Sequence, residues 1–128
     1  MLRFDGQRWQ RDEQGSALTL YRLLGVWSSA ASNVWVSGAG GVLLHRGAGG
    51  SWSLELAAQR LAPVPLTAVW GIDDRHVWAV GVGGALLAFN GTSWQTEVGH
   101  RTLTSVDLLG LSGRSEDELW AVGQQGVI

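Results

Sequence analysis

The chain has no cysteine and no lysine in its 128 residues, only two prolines, and a single tyrosine and a single methionine. Without cysteine there is no disulfide, no zinc–thiolate site and no thiol nucleophile. All nine basic residues are arginines scattered along the chain, and the formal net charge is −2. That pattern lacks the dense basic face of a nucleic-acid binder, so no nucleic-acid partner is expected. Long apolar runs are missing too. The longest mostly apolar stretch, Ala79 to Phe89, is eleven residues and holds three glycines, whereas a membrane-spanning helix needs about twenty apolar residues. The opening MLRFDGQRW has no apolar run behind its charge, so neither a secretion signal nor a membrane partner is expected.

What is plentiful is tryptophan (eight) and glycine (19), in a composition that is 45% apolar and 16% charged. High aromatic content with modest charge argues against disorder. The length suits one domain, large enough to bury roughly 68% of its unfolded surface.

The tryptophans are periodic. Trp9, Trp52 and Trp94 are spaced 43 and 42 apart, and so are Trp35, Trp78 and Trp120. Trp27 and Trp70 are again 43 apart, with Ser112 as the third member. The words around them recur: LLGVWSSAASNVW, LTAVWGIDDRHVW and LLGLSGRSEDELW, each thirteen residues long. The continuation missing after AVGQQGVI stands at the other end of the chain, where LRFDGQRW matches LAFNGTSW. Leu2, Phe4, Asp5, Gly6 and Trp9 fall on Leu87, Phe89, Asn90, Gly91 and Trp94, and Met1 shares a repeat position with Leu86 and Ile128. The chain therefore holds three periods in a circularly permuted frame.

Within a period, short β-branched and aromatic runs alternate with turns. Leu66–Gly71, His76–Gly81, Ala85–Phe89 and Trp94–Val98 read as strands, and Asn90-Gly91 is a strong hairpin signal. Apolar residues at helical spacing are nowhere sustained. Four short antiparallel strands in about 43 residues is the size of one β-propeller blade. The expected fold is all-β: three four-stranded antiparallel propeller repeats. Residues 18–65 and 66–102 form two blades, and residues 1–17 complete the one begun at 103–128.

The words VWAVG-x-GG-x-LL followed by (D/N)G-x-x-W resemble the tandem propeller repeats of large bacterial secreted and surface proteins. These are relatives of the Asp-box (BNR), kelch-like and photosystem stability factor propellers. Val77-Trp78-Ala79-Val80-Gly81 and Leu119-Trp120-Ala121-Val122-Gly123 carry the resemblance best. The Asp-box is half present, in Asp5-Gly6 to Trp9 and Asn90-Gly91 to Trp94, and Arg46-Gly47 departs from it. The resemblance implies a propeller, and an extracellular, periplasmic or cell-surface setting. The cut falls inside a third strand, and three blades leave open edges that aggregate unless covered. The expected partners are therefore another copy joined head to tail, two copies closing six blades, or the further blades of a longer parent.

For function the expectation is a non-catalytic scaffold that binds a protein or a glycan on its variable loops. Tryptophans that recur in every blade are read as blade-to-blade packing. Trp27 and Trp70, whose set is broken by Ser112, are candidates for ligand contact together with Tyr21 and Arg22 in a loop insertion. The loops Gln10–Leu20, Glu55–Pro65 and Glu97–Thr102 vary most. Gly38–Gly41 and Gly81–Gly84 resemble phosphate cradles but lead into strands rather than helices, so hairpin turns are expected. Asp73-Asp74 and Glu116-Asp117-Glu118 read as solvated acidic turns. His45, His76 and His100 share no metal spacing, so neither a metal nor a cofactor is expected. A sialidase-like glycan-processing enzyme is the rival, with Tyr21 as its sole tyrosine nucleophile. The inner-strand words LLGVW and LTAVW carry no carboxylate pair for such chemistry. A purely structural or engineered repeat is the third alternative.

Overall fold

The structure is a computed structural model that describes residues 1–30, 32–97 and 104–128. His100, Val98 and most of the Glu97–Thr102 linker lie outside the described residues. Two complete four-stranded antiparallel sheets occupy the middle of the chain. The first blade is β3 (Leu23–Ala30), β4 (Asn33–Gly38), β5 (Leu43–Arg46) and β6 (Trp52–Leu54). The second is β7 (Leu66–Gly71), β8 (Val77–Gly81), β9 (Leu86–Phe89) and β10 (Trp94–Thr96). Two-stranded sheets flank them: β1 (Leu2–Phe4) with β2 (Trp9–Arg11) at one end, and β11 (Leu108–Ser115) with β12 (Glu118–Gly123) at the other. By repeat position β1–β2 is the outer half of a blade and β11–β12 the inner half. The fold is all-β with propeller-like blades, as the periodicity predicts.

Each sheet reads the sequence with a period of two. In β8 every residue from Val77 to Gly81 is buried, because both faces are covered. Trp35 and Leu43 leave one face of the first blade and enter a core with Val69, Val77, Ala79, Leu87 and Trp94 of the second. The Trp35 indole meets Trp94 edge-on, with centroids 5.2 Å apart, and tilts on Phe89 at 5.1 Å. Val36 and Leu44 leave the opposite face and pack with Met1, Trp52 and Leu54. Trp35 and Trp94 thus pack the two complete blades together, whereas Trp9 and Trp120 of the same repeat series are exposed.

The innermost strands β3, β7 and β11 lie side by side. Small residues stand where they approach: a Cβ on Gly25 would lie 3.0 Å from the Ala68 Cα. The Thr67 hydroxyl donates to the carbonyls of Val80, in its own blade, and of Leu108, in the next.

The turns follow their sequence signals. Asp5 Oδ1 accepts from the backbone N–H of Gln7 and Arg8, each at 2.9 Å, and Asn90 Oδ1 does the same for Thr92 and Ser93 at 3.0 and 2.9 Å. The two glycine-rich segments are tight 3-10 turns between antiparallel strands, at Ala39–Gly41 and Val82–Gly84.

The variable linkers depart from simple loops. The first contains α1 (Glu13–Ser16), with Asp12 capping it through Gly15 N–H, and the second contains α2 (Leu56–Leu61). Ala58 and Ala62 enter the core between the two blades. The physical reason is local: Leu-Ala-Ala-Gln-Arg-Leu is built from good helix formers, but six residues are too few to display a helical period.

Candidate binding surface

The loop ends of the blades share one backbone device. The N–H of Ala39 donates to the Arg22 carbonyl at 2.8 Å, that of Val82 to Pro65 at 3.0 Å, and that of Gln124 to Asp107 at 2.9 Å. These bonds tie the residue that enters each inner strand to the 3-10 turn of the same blade. The scaffold repeats, while the side chains it holds are individual: Tyr21-Arg22, Val64-Pro65 and Val106-Asp107.

In the third case the side chain serves the scaffold. Asp107 accepts from the backbone N–H of Gly83 at 2.9 Å and from the Gln124 amide at 3.2 Å. In the first case the side chains face outward. The Tyr21 N–H donates to the Thr19 hydroxyl at 3.0 Å, which fixes the approach to the strand. The Tyr21 ring lies over Gly40, where a Cβ would come within 3.2 Å of a ring carbon. Gln59 of α2 donates to the Gly40 carbonyl at 3.2 Å, so the linker helix braces the turn on which the tyrosine rests. Leu20 is fully exposed, and Tyr21 and Arg22 are exposed beside it. The surface presents an aliphatic side chain, an aromatic ring and a guanidinium on a hydrogen-bonded turn.

Trp27 and Trp70 sit elsewhere. Leu23 pairs with Gly38 at the Tyr21 end of β3, while Trp27 pairs with Trp35 toward the other end. Trp27 lies edge-on to Gly71 of the second blade, where a Cβ would fall 2.8 Å from the indole. Trp70 lies in the same way against Gly113 of β11 and stacks on Trp78, with centroids 6.1 Å apart. Both are half-buried seam residues, each set against a glycine of the following blade. The four ligand-contact candidates therefore divide into an outward pair, Tyr21-Arg22, and a seam pair.

Polar groups gather near the seam. His76 Nδ1 is 2.9 Å from Asp73 Oδ1, and its Nε2 is 3.5 Å from Glu116 of the next sheet. The Arg75 backbone N–H, with help from His76, holds the Asp73 carboxyl below its ordinary range. His45 stacks on Trp35 at 4.0 Å and hydrogen-bonds Asn33 Oδ1 through Nε2 at 2.7 Å; burial pushes its pKa down. Among the described residues no three His, Asp or Glu side chains group as metal ligands. No sequence signal pointed to the His76–Glu116 contact, because the two residues stand at different repeat positions.

These stacked sheets define a class, an all-β protein with propeller-like blades. No protein-family model matches the chain, and no curated protein matches it. Among solved structures it is similar to YCF48 from Cyanidioschyzon merolae, a β-propeller protein, with a TM-score of 0.61 and 16% sequence identity. The likeness covers 94% of this chain and 43% of that one, so the chain spans less than half that protein's length. At this identity the likeness is one of fold.

Proposed function

We propose that the chain is a non-catalytic scaffold that binds a protein partner through Leu20, Tyr21 and Arg22. The observation that carries the reading is the exposure of these three side chains on a turn braced by the Ala39–Arg22 and Gln59–Gly40 hydrogen bonds. Aromatic and arginine side chains are what binding hot spots favour, and a backbone already fixed by hydrogen bonds loses less entropy when they are engaged. The Arg22 guanidinium has no protein partner among the described residues, which leaves it for an acidic or carbonyl-rich ligand surface.

A photo-crosslinking amino acid at position 21 of the full chain tests this in extract of the cells that make the protein. Expected is a discrete adduct, competed by unlabelled protein, weakened about tenfold by Arg22→Glu, and absent with the crosslinker at exposed Gln7. A glycan array whose signal disappears in Tyr21→Ala would move the ligand from protein to sugar. Turnover of a fluorogenic sialoside would overturn the non-catalytic reading. Neither adduct nor array signal would overturn binding at this surface.

A further inference from the structure

Residues that are buried in the two complete blades are exposed at the two ends of the chain. Trp120 is 57% exposed, while its repeat equivalents Trp35 and Trp78 are 0% and 9%. Trp9 is 68% exposed against 4% for Trp94, and Val26 is 70% exposed against 6% for Val69. The accessible surface is 7682 Å², about 1,100 Å² above the ~6,600 Å² typical of a folded monomer of this mass. An ordinary stable interface takes about 800 Å² from each partner.

The two ends are complementary, and the interface between the first and second blades is the template. There, Trp35 sits among Val69, Val77, Ala79, Leu87 and Trp94. The same repeat positions in the first blade are Val26, Val34, Val36, Leu44 and Trp52. Four of them, all but Leu44, line a cleft of about 320 Å³ beside β1. That cleft is the Trp35 socket one blade earlier, and the residue whose repeat position fits it is Trp120. At the other end, Trp78, Leu86, Leu111, Leu119 and Ala121 line a cleft of about 450 Å³ against the unpaired edge of β12. The repeat positions that fill this region in the second blade, Leu87, Phe89 and Trp94, recur as Leu2, Phe4 and Trp9. All three are exposed on β1–β2.

We infer that a second copy of this chain covers both ends: β1–β2 of one copy adds to β12 of the other, making a composite four-stranded blade, and Trp120 enters the first-blade cleft of the copy that supplies the hairpin. The register follows from β8 on β9, where Val77 faces Phe89, Trp78 faces Ala88 and Ala79 faces Leu87. By repeat position, Leu119 faces Phe4, Trp120 faces Arg3, and Ala121 faces Leu2 of the second copy. Made twice, the junction closes two chains into one ring by a two-fold axis, and no unpaired β12 edge is left. The inference rests on the blade packing and is independent of the Tyr21 surface.

Because the chain has no cysteine, a cysteine pair reports the register against no background. Directly opposed strand residues lie about 4.5–5.5 Å apart at Cα, within disulfide reach, whereas diagonal neighbours are about 7–8 Å apart. Leu2→Cys with Ala121→Cys is expected to oxidise to a covalent dimer, and Leu2→Cys with Leu119→Cys is not. Light scattering of the unmodified chain is expected to give twice the 13.7 kDa chain mass. Trp120→Glu is expected to reduce this to a single chain mass while the β circular dichroism remains, since Trp120 is largely exposed within one chain. An unmodified chain at single mass overturns the inference, as does cross-linking without preference between the two cysteine pairs. A ladder of trimers and longer species overturns closure at two.

Discussion

Ser37 occupies the position that valine holds in the next two periods, Val80 and Val122. Its hydroxyl is fully buried and has no hydrogen-bond partner among the described residues. A buried hydroxyl that has lost water without gaining a partner is a net cost, so Ser37→Ala is expected to stabilise the protein by about 1 kcal/mol. A urea titration with a raised midpoint and unchanged slope would establish this, and a lowered midpoint would refute it. His45 supplies a pH dependence. The Asn33 amide donates to the Ser29 hydroxyl at 2.8 Å, so its oxygen is turned to accept from Nε2–H of His45. Burial lowers the His45 pKa below the ordinary 6.5, against a smaller opposing pull from Asp74. The folded protein keeps the ring neutral longer than the unfolded chain does. As pH falls below 6.5 the unfolded chain takes up the proton first, and stability is lost on acidification. The Tm should therefore fall between pH 7.5 and 5.5 by more in the parent than in His45→Gln; equal slopes would remove His45 from the account. Neither residue could be singled out from sequence. A serine in a valine series and a histidine in an odd repeat position acquire meaning only when burial is known.

The strands were legible because their signals are doubled: tryptophan spacing sets the period, and Asx-Gly turns punctuate it. The two linker helices escaped, and α2 bears on stability. Ala58 is completely buried between the two complete blades, while Leu56, two residues earlier, is exposed. Ala58→Leu would overfill that core at a cost of about 1–3 kcal/mol, whereas Leu56→Glu should change stability by less than about 0.5 kcal/mol. Comparable losses from both would mean that α2 is not the wedge its burial suggests. The 3-10 turns set a second contrast. Gly41 has φ +75, and a Cβ there would stand 2.1 Å from the Ala62 carbonyl oxygen; Gly83 has φ +68 with open space around it. Both alanine variants meet left-handed strain of about 1–2 kcal/mol, but only Gly41→Ala also displaces the backbone that follows α2. Gly41→Ala should be the more destabilising of the two by thermal melting. In the third period the position of Gly83 is held by Gln125, at φ 56, so a side chain is tolerated there. The glycine pairs stand out in sequence as turns. Which of the two glycines is indispensable depends on the carbonyl packed against it, and that is a tertiary fact.

At the scale of the molecule, three periods of one word produce four sheets, because the frame of the repeat and the frame of the chain are offset by half a blade. That offset could be read from LRFDGQRW matching LAFNGTSW. What the repeat alone could not convey is how unequally burial is shared. The core runs from Trp35 through Val77 and Ala79 to Trp94, and β8 is buried along its length. Every residue of β1 and β2 is exposed, by contrast, and these strands rest on the first blade chiefly through Met1. Backbone amides in such a gradient open locally with free energies that follow the packing around them. In Trp120→Glu, held as a single chain, hydrogen exchange should be slowest in β4 and β8 and fast in β1, β2 and the outer edge of β12. In the proposed dimer, a strand bonded on both sides between two buried faces has no reason to open before β8 does. Exchange in β1 and β12 should then slow together, by a similar factor and with the same dependence on protein concentration, because one junction protects both. Slowing of β12 alone would point to a different cover for that edge. Fast exchange of both strands at every concentration would leave the two ends of the chain unpaired.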